Sequence, residues 1–270
     1  MEENSPSGNK KIWIGLVFFV GVAVVSWIYF SPSLFKPALP PEPTLSPTVN
    51  VPPPATSPVP GGPTLEQSDT FIREKSESLS SNPALATWLK KDEIIRRITA
   101  AVDIIANGKL PRDTIGFLRP HKRFMVKRVG KKLYIDPKSY ARYDGIANTI
   151  QSLNVPAMVR LFEMLKPVFE QTCREQGCWQ NGFQARLVQA TQDLLKTPLV
   201  QDNIRVRKKV STYVMMDPTL ESLSPPQKAL LRMGPKNTAK VQLKLRALAK
   251  ALGVPENQLP PSQPYFPVVK

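Results

Sequence analysis

The chain has 270 residues, with 37 Lys and Arg against 21 Asp and Glu, one His, two Cys and 29 Pro. A single His excludes any site built on several imidazoles, and two Cys permit at most one disulfide and no Cys-rich zinc or iron–sulfur centre. With 41% hydrophobic residues the chain can build a core, while its net charge of +16 calls for an anionic neighbour.

In chain order, residues 1–11 balance two acids with two bases, and Ile12 to Phe30 then run 19 residues without a charge. As a helix this run would be roughly 28 Å long, close to a bilayer's hydrocarbon core. Trp13 stands at one end and Trp27 and Tyr29 at the other, where amphipathic rings settle at the interfaces. A cleaved signal peptide has a shorter apolar region and ends in small residues, whereas here Ser31-Pro32-Ser33 follows Ile28, Tyr29 and Phe30. The expectation is an uncleaved transmembrane helix over 12–30. Lys10 and Lys11 on its N-terminal flank place the N-terminus in the cytoplasm. In a bacterium, residues 31–270 would then be periplasmic, outside the inner membrane.

Residues 31–64 read as a Pro-rich disordered linker. Twelve prolines fall between 31 and 63, and Lys36 and Glu42 are the charges. Proline fixes φ and lacks the donor that helix and sheet need, so extended polyproline II is the default. A ligand for a Pro-recognising module is the sharper alternative, but a tether is the preferred reading.

Residues 65–255 are predicted to form a mainly helical domain, with 256–270 as a C-terminal tail. Over 92–108, Ile94, Ile95, Ile98, Ala101, Val102 and Ile105 recur at helical spacing before Gly108, with Asp92 as the expected N-cap. FMVKRV and KKLYID around Gly130 predict a small β-hairpin. Asp136-Pro137 then opens a helix, with Asp at the cap and Pro at the first helical position. Further helices are expected from Pro156 to about Arg174, Phe183 to Lys196, Pro225 to Met233, and Pro235 to Leu252. Residues 204–216 favour an extended conformation through their β-branched content. No internal repeat of fixed period is visible.

The segments at 65–74, 88–120, 134–144 and 223–237 resemble the bacterial membrane-protein family known as domain of unknown function 3014. The most specific parts are Asp-Pro-x-x-Tyr-x-x-Tyr-Asp at 136–144 and Leu-Leu-Arg-Met-Gly-Pro-Lys-Asn at 230–237. The resemblance covers most of 65–252 and implies a single-span bacterial envelope protein; it supplies no catalytic residues, since none is established for the family. The two cysteines depart from the family's usual pattern.

Cys173 and Cys178 enclose Arg-Glu-Gln-Gly. Positions five apart on a regular helix face about 140° away from each other, so a bond between them requires the helix to end, which Gly177 permits. A structural disulfide, worth about 2 kcal/mol for so small a loop, is expected in an oxidising compartment. Two separately buried thiols are the alternative. His121, amid Arg119, Lys122 and Arg123, reads as a solvated loop residue. Ser-x-x-Lys at Ser7–Lys10 and Ser33–Lys36 falls outside the folded part and is read as chance. Asp92, Asp136 and Asp217 are read as helix caps or turn residues. Neither GxGxxG nor a P-loop occurs, and no catalytic, cofactor-binding or metal site is expected.

The cations are clustered. Residues 109–142 hold 11 Lys and Arg against Asp113 and Asp136, and no acid lies between Glu221 and Glu256. In that second stretch Lys228, Arg232, Lys236, Lys240 and Lys244 recur every fourth position, joined by Lys250, as a candidate anion or partner surface, with a solvated helix face as the bland reading. The partners considered are anionic lipid, a cell-wall polymer or an acidic protein. Nucleic acid is disfavoured outside the cytoplasm, and the stretch has no interleaved aromatic rings for stacking. The expected function is therefore non-enzymatic: an inner-membrane protein presenting a basic periplasmic domain to an anionic envelope component or partner protein. The alternative is an envelope hydrolase cleaving glycan through paired carboxylates, which are defined by a distance rather than a spacing.

Overall fold

The computed structural model describes residues 62–120, 122–178 and 182–267. The apolar run 12–30, nearly all of the linker and His121 lie outside the described residues. No helix among those described is long and apolar enough to cross a membrane.

Three short helices come first, α1 (Leu65–Glu74), α2 (Ser76–Leu79) and α3 (Pro83–Trp88). Of these, α1 packs on α4 (Ile94–Ala106), and Ile72, Leu79 and Leu85 of the three share one core with its buried Ile94 and Ile95. Asp92 does not cap α4. Its carboxylate pairs with Arg73 at 3.0 Å, and the cap comes from α1, where Asp69 accepts the N–H groups of Glu93 and Ile94 at 2.7 and 2.8 Å. A carboxylate from another helix satisfies the orphan donors as well as a local one would.

Beyond α4 the order of elements repeats. A hairpin, β1 (Val126–Val129) and β2 (Lys132–Ile135), leads through α5 (Pro137–Ala141) and α6 (Asp144–Gln151) to the long α7 (Val155–Glu175). After α8 (Gly182–Leu195) and the short strand β3 (Leu199–Val200), a second hairpin follows, β4 (Arg205–Lys209) and β5 (Thr212–Met215). It leads through α9 (Pro218–Glu221) and α10 (Pro225–Leu231) to α11 (Pro235–Ala251). Helix, hairpin, Asp-Pro helix, short helix and long helix thus occur twice. Both Asp-Pro helices are capped alike, Asp136 accepting from the N–H of Lys138 and Asp217 from those of Thr219 and Leu220. The first helix of each copy is also capped by a carboxylate from an earlier helix, Asp69 of α1 for α4 and Glu170 of α7 for α8. The sequence shows no period because the order of elements recurs without a recurrence of residue identities.

The two hairpins merge into one antiparallel sheet of order β1-β2-β4-β5, with Leu133 opposite Val206 and Tyr134 opposite Arg205. The single small hairpin expected from sequence is therefore half of a four-stranded sheet. Its inner face buries Ile135, Val206 and Met215 against Ile204, Leu220 and Leu231. The larger core lies among α1–α4, α7 and α8, where Phe169 and Phe183 stack with centroids 4.4 Å apart. Residues 256–267 run back along the body: Leu259 is buried, β6 (Pro264–Tyr265) pairs in parallel with β3, and the Tyr265 hydroxyl donates to Asp217 at 2.8 Å.

The copies are locked where α5 meets the start of α11. A Cβ on Gly234 would lie 2.5 Å from Cγ of Tyr140, and Gly234 has φ +81° and ψ 161°. That combination is open essentially to glycine alone. Asn237, buried beside it, donates from Nδ2 to the Tyr140 and Met233 carbonyls and to Asp144 Oδ1 at 3.1, 3.1 and 2.8 Å. Gly234→Ala is expected to lower unfolding stability by about 3 kcal/mol or more, combining backbone strain with overpacking, as read from urea unfolding. A loss under about 1 kcal/mol would mean the ring moves aside freely.

Candidate functional site

The basic run of α10 and α11 is largely engaged within the chain. Lys228 Nζ donates to the Glu221 carbonyl at 2.8 Å and pairs with its carboxylate at 3.3 Å. Lys240 donates to Asn148 Oδ1 at 2.6 Å, and Lys244 donates to the Leu153 carbonyl. Lys250 pairs with Glu256 at 2.7 Å, and that hydrogen bond, helped by Arg246, holds the Glu256 carboxyl below its usual range. Arg232 is partly buried, and desolvation draws its pKa down despite nearby Glu221 and Tyr143. Lys236 is exposed and has no partner among the described residues. The four-residue periodicity therefore reflects helices bracing their neighbours as much as a free cationic face.

A denser group of cations without ion pairs lies on the sheet. Strands β1 and β4 run in the same direction, because each is antiparallel to β2, so both hairpin turns lie at one end. Strand alternation and the register put Lys127, Lys132, Arg207 and Lys209 on the face opposite Val206 and Met215. Arg128 and Lys208 share the inner face's alternation but sit at the exposed turn end. Lys127, Arg128, Lys131, Lys132, Arg207, Lys208 and Lys209 form no ion pair with any described residue. Two apolar residues at this end are open. Val129, the last residue of β1, is 58% exposed, and Val210, in the second turn, is 91% exposed. At the first turn position Gly130 has φ +58° and Val210 has φ +46°. A β-branched residue in that region is strained, by about 1–3 kcal/mol. Sequence reading marked the cations of 109–142, which include four of these, but not their meeting with Arg207, Lys208 and Lys209, because the pairing of distant hairpins is a tertiary fact.

Cys173 and Cys178 are joined in a disulfide with their Cα atoms 5.1 Å apart. The helix ends between them, as Gly177 at φ +82° turns the chain. The bridge closes the end of α7, and Glu170, one turn earlier, caps α8 through the N–H groups of Phe183 and Gln184. Asp103 of α4 and Arg186 of α8 pair at 2.6 Å across the helical layer. Among the described residues no group of three His, Cys, Asp or Glu side chains is placed to hold a metal.

Within this helical layer lies an apolar cavity of about 450 Å³. Its walls come chiefly from α4, α7, α8 and α11, and its charged lining residues are Lys91 and Arg97, with no Asp or Glu among the described lining. It therefore contains no carboxylate pair.

The family described as "Protein of unknown function (DUF3014)" matches residues 94–249. The chain belongs to the DUF3014 family. The matched region opens on the first residue of α4 and closes within α11, so it spans both copies of the repeat and omits α1–α3. No curated protein and no solved structure matches the chain. The two runs most specific to the DUF3014 resemblance meet in the structure: Tyr140 and Asp144 belong to one, and Met233, Gly234 and Asn237 to the other. They form the lock between the copies.

Burial in that lock pushes the Tyr140 phenol up from 10.0 to about 12. A group whose pKa is raised on folding contributes stability that is complete below its unfolded pKa and lost as pH rises through the folded one. Wild-type protein should therefore lose stability relative to Tyr140→Phe between pH 10 and 12, by up to about 2 kcal/mol. Parallel alkaline unfolding curves for the two proteins would refute it.

Proposed function

We propose that this protein is a binding rather than a catalytic one, a membrane-tethered domain that docks onto the anionic headgroups of the cell envelope's bilayer. The observation that carries this reading is the sheet end, where seven unpaired cations surround the exposed Val129 and Val210. Anionic headgroups attract such clusters with about 1 kcal/mol per Lys or Arg near the surface. Aliphatic residues at the turns suit shallow contact with the acyl boundary. The strained backbone at Val210 supports it further, since glycine would be easier there and a valine must be held for another reason. The apolar run 12–30 and the Pro-rich stretch after it fit a domain kept within reach of its own membrane, in the arrangement expected for a bacterial inner-membrane protein with its domain in the periplasm.

Co-sedimentation of a 62–270 fragment with phosphatidylglycerol–phosphatidylcholine vesicles tests this. Binding should weaken steeply with salt and fall about tenfold or more in Lys208→Glu/Lys209→Glu. Lys240→Glu/Lys244→Glu, altering cations already engaged within the chain, should have the smaller effect on binding. Val210→Gly should bind more weakly while unfolding about 1 kcal/mol later. Equal binding by the Lys208/Lys209 variant and the wild type would sink the proposal.

A further inference from the structure

We propose that the cavity among α4, α7 and α8 is a binding site for one long acyl chain bearing an anionic headgroup. The lining is almost wholly apolar, drawing on Leu161, Phe162, Leu187 and Val188 among others. About 450 Å³ lies within the range of small-molecule sites, ~300–1,000 Å³. Filled with water it would take ~15 molecules at ~30 Å³ each, and each would need two to four polar partners. The polar side chains on the lining are Lys91, Arg97, Gln184 and Thr191, too few for such a cluster. The chemistry of the wall selects hydrocarbon.

The headgroup's sign follows from the rim. The lining reaches the surface at Lys91, which is exposed, and at Ile98 and Phe117, which are 40% and 38% exposed. Lys91 has no ion pair with a described residue. Arg97 donates from Nε to the Asp92 carbonyl at 2.8 Å, leaving its terminal nitrogens unpaired among the described residues. The neighbouring acids are already engaged, Asp92 and Asp69 with Arg73 and Glu93 with Arg96. A carboxylate or phosphate at the mouth thus meets two cations and no competing free acid, while the chain runs inward over Trp88 and Leu89 toward Phe162. None of the residues involved belongs to the cationic sheet, so the site stands apart from the docking reading above.

The test uses the full chain in isolated membranes, exposed to palmitate carrying a photoactivatable diazirine in its alkyl chain. After irradiation, the labelled peptides should come from α4, α7 and α8. Unlabelled palmitate should suppress labelling, with octanoate at least tenfold weaker. Val188→Phe and, separately, Val159→Phe, which place bulk in the cavity from partly buried positions, should each reduce labelling at least fivefold while thermal unfolding stays cooperative. Lys91→Glu/Arg97→Glu should reduce labelling by the acid probe several-fold and leave its methyl ester unaffected. Lys208→Glu/Lys209→Glu should leave labelling unchanged, which separates this site from vesicle docking. Labelling spread evenly along the chain, or labelling equal in both bulky variants and wild type, would each overturn the proposal.

Discussion

The side chain that residue 234 lacks sets the architecture. The ring of Tyr140 occupies the place a Cβ would take, so α5 of the first copy can sit against the start of α11 of the second. That approach lets Asn237 reach three acceptors at once, two of them on α5 and α6. A buried amide is stable only when its polar atoms are paired, so close approach and hydrogen bonding require each other. The adjacent cluster of Ala147, Leu230, Met233 and Val241 closes over the same junction. Without the contact the two copies would be joined mainly through the sheet and through α4 against α8.

The repeat explains why the domain has two cores rather than one. Each copy supplies a hairpin to one layer and long helices to the other. The hairpins fuse edge to edge through β2 and β4, and the helices interleave as α4 with α8 and α7 with α11. The same repetition supplies two equivalent hairpin turns at one end of the sheet. Gly130 occupies the left-handed position in the first and Val210 in the second, so the copies differ where they are most exposed.

Much of the helical layer was legible in the sequence because it rests on local signals. Asp136-Pro137, Asp217-Pro218 and Ser224-Pro225 mark helix starts that the structure shows at Pro137, Pro218 and Pro225. The hairpin around Gly130 could be read from its turn and alternation. What could not be read depends on distant partners. Asp92 looks like a cap, but Asp69 holds that role from another helix. Lys240 and Lys244 look like a free face, but their acceptors, Asn148 and the Leu153 carbonyl, lie some 90 positions earlier in the chain. The β-branched segment at 204–216 signals extended backbone, yet nothing in it states that its neighbour is β2. The cavity left no trace in the sequence, since the same apolar spacing describes a helix that fills its core and one that surrounds a hollow.

The distribution of acids decides where the chain's positive surplus is felt. Asp69, Asp92, Glu93, Asp103, Glu175, Glu221 and Glu256 supply the carboxylates of the ion pairs among the described residues. All of them lie on or beside helices, and several brace one helix against another. Glu221 alone of them touches a hairpin, accepting from the N–H of Met215 at the end of β5 away from the turns. A cation beside a carboxylate is screened at short range, whereas several like charges without a counter-ion sum to a field that extends to roughly a Debye length, ~8 Å in physiological salt. The surplus of +16 is therefore concentrated by subtraction: the helical layer neutralises many of its own cations, and the sheet, having no acids, keeps the field. Mutual repulsion among seven such side chains at one end opposes folding of the sheet, and an anionic surface brought against that end would relieve it.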